Sequence, residues 1–146
     1  MKIAISSDHA GFVLKTEVID FLKSKNYEVK DFGCFSEERA DYPDFAHPMA
    51  EFVEMKNADF GISICGSGNG INMTANKHQQ IRSALCWNVE ISQLARLHND
   101  ANVLSLPARF VTKELALQIV DVFLTTDFEG GRHQVRIDKI PLKSEE

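Results

Sequence analysis

Strand-type and helix-type segments alternate along all 146 residues. That alternation predicts an α/β fold, a three-layer α/β/α sandwich around a five-stranded, Rossmann-like parallel sheet. The links between segments are too short to hold separate domains, so residues 1–146 read as one domain with a single core. Polar and glycine-rich clusters also fall where strands end, which is where ligands bind in sheets of this kind.

The first strand is Lys2–Ser6, running out into Ser7-Asp8-His9-Ala10-Gly11. Phe12–Ser24 follows with Leu14, Val18, Phe21 and Leu22 on a helical stripe. Tyr27–Phe32 reads as a second strand closed by Gly33, and Cys34–Asp44 is polar and irregular. A helix is expected from about Pro43 to Met55, because proline is tolerated in a first turn. The third strand, Phe60–Ile64, leads through a glycine loop into a helix ending near Lys77. Ile81–Trp87 is the expected fourth strand, Val89–His98 the fourth helix, and Asn102–Leu106 a fifth strand stopped by Pro107. Thr112 is placed to cap an amphipathic helix running to Leu124. After Gly130-Gly131, Arg132–Ile140 is expected to form a short final helix.

Composition narrows the function. The chain is 44% hydrophobic and 25% charged, as in ordinary globular proteins. Its formal charge of −5 argues against a general nucleic-acid binder, which would carry a basic face. Cys34, Cys65 and Cys86 are odd in number and form no C-x-x-C pair, which favours a reducing cytoplasm over a disulfide framework or a zinc site. No apolar run approaches a membrane span, and no signal-peptide core follows Met1.

Chemistry concentrates in Ile64-Cys65-Gly66-Ser67-Gly68-Asn69-Gly70. Glycines at alternate positions leave backbone N–H groups unshielded at the start of a helix, where an anion can be received. A thiol beside those donors is placed to become more acidic. The loop is neither a dinucleotide fingerprint, since position 71 is Ile71, nor a Walker A loop, since Ser67 stands where lysine would be needed. A tight turn without ligand is the plain alternative, weakened by the adjoining Cys65 and Ser67. Cys34 and Cys86 read as packing residues. The five histidines show no spacing such as H-E-x-x-H. Asp8-His9 and His98-Asn99-Asp100 are compact polar groups at element ends. Arg132 and Arg136, four apart, share a helix face that is either solvated or a fork for phosphate.

Several motifs in one order resemble the type B ribose-5-phosphate isomerase family, which includes allose-6-phosphate and galactose-6-phosphate isomerases. They are Ser7-Asp8-His9-Ala10-Gly11-Phe12, Asp41-Tyr42-Pro43, the glycine loop to Ile71, Ala75-Asn76-Lys77, Arg96 to Leu104, and Phe128-Glu129-Gly130-Gly131-Arg132-His133. The resemblance covers nearly the whole chain. It implies aldose–ketose isomerisation of a phosphorylated sugar through a cis-enediolate, with no metal or organic cofactor.

Carried over, Cys65 is the base that moves a proton between C1 and C2, and Ser67 helps move the hydroxyl proton. The N–H groups of Gly66, Ser67, Gly68, Asn69 and Gly70 hold the enediolate oxygens. His98 opens the sugar ring, assisted by Asp8. Asn99 binds the sugar chain, Tyr42 borders it, and His9, Arg109, Arg132 and Arg136 gather the phosphate. The reacting oxygens, not the phosphate, thus belong on the glycine loop. A homodimer or pair of dimers is implied, with the site near the subunit boundary and some arginines from the neighbouring chain.

Many members carry threonine at the position of Ser67, which fixes the rotamer more firmly. Another branch uses a glutamate a little further on, but Met73-Thr74-Ala75 offers none. A hexose 6-phosphate isomerase uses the same residues, and one extra carbon can be admitted by small changes in pocket shape. A non-catalytic binding domain of flavodoxin-like form would have no use for a thiol base.

Overall fold

A computed structural model describes residues 1–144. Strands β1 (Lys2–Ser7), β2 (Glu28–Asp31), β3 (Phe60–Cys65), β4 (Ser83–Leu85) and β5 (Val103–Pro107) form one sheet in the order β2-β1-β3-β5-β4. Every neighbouring pair is parallel. The helices are α1 (Phe12–Ser24), α2 (Tyr42–Glu54), α3 (Asn69–Ala75), α4 (Val89–Asn99), α5 (Lys113–Thr125) and α6 (Arg132–Ile137). The expected layered sandwich is the observed one.

Strand periodicity sorts the core into two unlike faces. Ile5, Ile62 and Leu104 stand side by side across β1, β3 and β5. With Ile3, Ile64 and Leu106 they pack against Leu14, Val18 and Leu22 of α1 and Ile119 and Phe123 of α5. Each such side chain, fully buried, stabilises the fold by about 1.5–3 kcal/mol relative to exposure. One residue along, the facing row is Ser6, Ser63 and Ser105. That second face carries small residues and meets Met49, Ala50 and Val53 of α2 and Ala75 of α3. A Cβ on Gly61 would lie 2.6 Å from Met49 Sδ, so the absence of a side chain there lets α2 approach closely. The serine hydroxyls are paired, Ser63 to Ser105 at 2.7 Å and Ser105 to Ser83 at 2.9 Å. Ser6 Oγ is buried without a partner among the described residues.

Several boundaries differ from expectation for local reasons. The fourth strand is Ser83–Leu85, not Ile81–Trp87. Side-chain amides take over the backbone before it: Arg82 N–H donates to Asn102 Oδ1 at 2.8 Å, and Ser83 N–H donates to Asn76 Oδ1 at 2.8 Å. The second strand loses Tyr27, whose N–H returns to Leu22 O at the end of α1. Pro107 is itself the last residue of β5, in register with Cys65, and its missing N–H ends the ladder there. Helix α4 continues one residue beyond His98 before Asp100 turns left-handed at φ 43°. Helix α6 stops at Ile137, with turns over 138–140. A 3-10 turn at His9–Gly11, unforeseen in the sequence, leads into α1.

The chain leaves β1 for β2 on one side and returns for β3 on the other. Ligands in open parallel sheets bind outside the carboxyl ends of strands at such a reversal. Asp8 and Cys65 stand there.

Candidate active site

A cleft of about 510 Å³ opens at these strand ends, lined by Asp8, His9, Tyr42, Cys65, Gly66, Ser67, Gly70 and Arg109, with Ala10 and Phe110. The three expected strand-end clusters do converge. A cavity of about 540 Å³ lies elsewhere, between Asn76–Ala84, Asn99 and Ile140–Leu142, but no thiol lines it. The chemistry favours the first.

Each wall is held by its backbone. Asp8 is buried; its N–H donates to Ile64 O at 3.2 Å, tying the β1 exit to β3. Asp8 Oδ1 accepts from Gly11 N–H at 3.1 Å, which caps the 3-10 turn and commits one carboxylate oxygen. His9 Nδ1 lies 3.2 Å from both the N–H and the carbonyl oxygen of Ala40, which anchors the ring to that backbone and leaves Nε2 free of this contact. Tyr42 opens α2, and its ring lies so close over Gly70 that a side chain there would meet Tyr42 Cζ.

Cys65 ends β3 on the small-residue face, against Ala46 and Ile71, and is only 4% exposed. Gly68 adopts φ +76°, and a Cβ would strike Leu85 Cδ1, so both conformation and space require glycine. The Arg109 guanidinium occupies the space beside Gly66, with Nη1 3.0 Å from where a Cβ would be. Arg109 N–H donates to Gly66 O at 3.0 Å and Ala108 N–H to Cys65 O at 2.9 Å, strapping the β5 exit to the glycine loop. Ser67 Oγ accepts from Asn69 N–H at 3.3 Å and from its Nδ2 at 3.2 Å. Asn69 therefore faces Ser67 and a shallow neighbouring groove with Trp87 and Phe110, not the cleft. The first-turn N–H groups of α3 have no upstream carbonyl to receive.

His98, Asn99, Arg132 and Arg136 form a second group. His98 and Asn99 end α4, while Arg132 and Arg136 are exposed on α6. Glu129 N–H donates to Leu97 O at 3.0 Å, fastening the approach to α6 onto α4. His98 stacks on His133 with centroids 4.3 Å apart and planes 13° from parallel. Glu129 Oε2 lies 3.7 Å from Nε2 of both rings. His133 is buried, and its Nε2 has no hydrogen-bond partner among the described residues. Desolvation holds its pKa below the ordinary value; the nearby charges of His98, Arg132 and Arg136 add to this, and Glu129 opposes it. The three groups bring ligand atoms within 4.8 Å of one another. Nearly parallel rings do not aim their in-plane lone pairs at one point, so the arrangement is that of a stacked pair.

Within one chain the two groups lie toward opposite ends of the strands. Asn99 precedes the start of β5, whereas Pro107 at its end is in register with Cys65. Five residues of strand span roughly 16 Å. Sequence order hid this separation, although a pair ending a helix belongs at the end where the next parallel strand begins. Phe110, 74% exposed at the cleft mouth, was also missed; an aromatic just past a strand end was the available signal. Cys86 is a packing residue as expected: burial pushes its thiol up to about 12, with a hydrogen bond from Ser92 opposing. Cys34 is buried, with Sγ 3.3 Å from Ser36 O.

Comparison with known proteins matches residues 3–140 to the model of a family described as Ribose/Galactose Isomerase. Ribose-5-phosphate isomerase B of Escherichia coli strain K12 is 47% identical over 139 residues, covering 95% of this chain and 93% of that protein. The structure of ribose-5-phosphate isomerase B from Clostridium thermocellum superposes with a TM-score of 0.95 at 51% identity, covering 96% of this chain and 95% of that one. The Mycoplasma genitalium enzyme of the same name, solved with bound ribulose-5-phosphate, gives a TM-score of 0.92 at 47% identity, covering 95% and 93%.

Proposed function

Since the chain belongs to the ribose/galactose isomerase family, we propose that it is a ribose-5-phosphate isomerase, interconverting D-ribose 5-phosphate and D-ribulose 5-phosphate in the pentose phosphate pathway. The observation that carries the reading is Cys65 at the floor of the strand-end cleft, with Ser67 and the glycine-loop backbone around it.

Cys65 removes the proton from C2 of the open aldose and returns it to C1. The carbon acid is weak, so the larger catalytic contribution comes from N–H donors aimed at the enediolate oxygens. Those donors belong to Gly66, Ser67, Gly68 and Gly70, the N–H of Asn69 being turned to Ser67 Oγ, and losing one such donor raises a barrier by about 2.7–4 kcal/mol. Ser67 Oγ moves the hydroxyl proton, and Tyr42 forms the wall along the sugar. His9 and Arg109 take part of the phosphate.

The remaining roles are assigned to a second copy of the chain. His98 opens the ring opposite Asp8, Asn99 holds the sugar chain, and Arg132 and Arg136 complete the phosphate site. The placement of His98 and Asn99 at the far ends of the strands from the cleft, with α6 fastened beside them, supports a homodimer whose sites are shared. Exposed Phe110 beside the cleft and exposed Val135 between the two arginines offer apolar surface for such an interface. The three free thiols accord with a cytoplasmic enzyme.

The test is kcat/KM on ribose 5-phosphate, allose 6-phosphate and galactose 6-phosphate, with exchange of the C2 proton into deuterated solvent. We expect preference for the pentose and exchange that Cys65→Ala abolishes while phosphate binding persists. A hexose preference would replace the substrate, and full turnover by Cys65→Ala would remove the thiol from the mechanism.

A further inference from the structure

Away from the cleft, α2 and the segment after α3 bring two histidines together. His47 Nδ1 lies 2.9 Å from His78 Nε2, with ring centroids 5.1 Å apart and planes tilted by 52°. Unlike the stacked pair at His98 and His133, these rings point nitrogen at nitrogen. Behind them, His78 Nδ1 is 3.2 Å from Glu54 Oε2, and the other oxygen of Glu54 accepts from Gln80 N–H at 2.9 Å. A carboxylate fixed by the backbone thus accepts a hydrogen bond from Nδ1–H of His78, and the lone pair of its Nε2 then points outward, toward His47.

We propose that His47 and His78 bind a divalent zinc-class metal ion, with Glu54 as the carboxylate that orients His78. Two zinc–imidazole bonds at a tetrahedral angle separate their nitrogens by about 3.3 Å. The observed pair needs to open by only a few tenths of an ångström, and His47 is exposed on its helix and free to turn. The carboxylate–histidine–metal arrangement is the usual outer support of an imidazole ligand. Binding needs a lone pair on His47 Nδ1. Its proton moves to Nε2, which is the ordinary tautomeric exchange of an exposed ring, and both ligands stay neutral. Glu51 stands exposed one turn further along the same face of α2, and water fills the other positions. The ion would add a bridge between α2 and the segment that enters β4, which already meet through Ile81 packed on Met49, Ala50 and Val53 and through Glu54. Because imidazole must be unprotonated to bind metal, occupancy falls on acidification.

The site is independent of the isomerase reading. It is tested on tag-free protein carrying Cys65→Ser, so that the cleft thiol cannot supply the signal. Zinc is titrated by calorimetry, and the melting temperature is followed with and without the ion. One saturable site per chain is expected, with a rise in Tm. His47→Gln and His78→Gln should each weaken it at least tenfold, and Glu54→Gln should weaken it by about tenfold, the lower range for an outer-sphere partner. Circular dichroism checks that the variants fold. An isotherm unchanged in both histidine variants would overturn the assignment, as would no heat and no Tm shift at millimolar zinc.

Discussion

Burial withdraws His133 from water, and the charges of His98, Arg132 and Arg136 make its protonation harder still, so its pKa lies below the ordinary 6.5. Between that depressed value and about 6.5 the unfolded chain binds the proton more readily than the folded one. The stability due to the neutral ring is complete above the window and is lost as pH falls through it. A plot of Tm between about pH 7.5 and 5.5 should therefore be shallower for His133→Gln than for wild type. Equal slopes would mean that the ring titrates alike in both states. The sequence placed His133 within a motif yet offered no role for it, since its stacking on His98 depends on how α6 folds back across α4. Cys65 and Gly68 were more legible, because a thiol and alternating glycines at a strand end have few other uses.

At the scale of elements, Thr112 Oγ1 accepts from Leu115 N–H at 3.1 Å, as a cap should. Thr112→Ala should lower stability by about 1 kcal/mol in denaturant unfolding. A change within error would show that α5 is held by packing alone. Caps and amphipathic stripes are local, and for that reason α1, α2 and α5 could be read directly from spacing. The length of β4 could not. It is set by Asn76 and Asn102, whose side-chain amides reach residues 82 and 83 from elsewhere in the fold. The expected strand ran through Ile81–Trp87 because apolar residues were present; competition for the backbone shortened it.

For the whole molecule, alternation of strand and helix was enough to specify a parallel sheet and hence the strand ends at which Asp8, Tyr42 and Cys65 meet. The same rule places the end of α4 at the opposite strand ends, but motif order alone does not reveal it. If sites form between copies, Cys65→Ala and His98→Ala chains should rescue each other. Random 1:1 mixing by unfolding and refolding makes half the dimers mixed, each with one intact site, so about a quarter of wild-type activity should return. No recovery from two inactive parents would confine each site to a single chain.

The two faces of the sheet differ in what they allow sequence to do over time. Beneath α1 and α5, branched side chains can exchange for one another at nearly constant volume, and drift there is cheap. Beneath α2, the row of serines and Gly61 has no room to spare. An added methyl there displaces α2 as a body, and with it Tyr42, more than a turn of helix away at the cleft. A protein drifting on that face would lose its grip on substrate before it lost its fold.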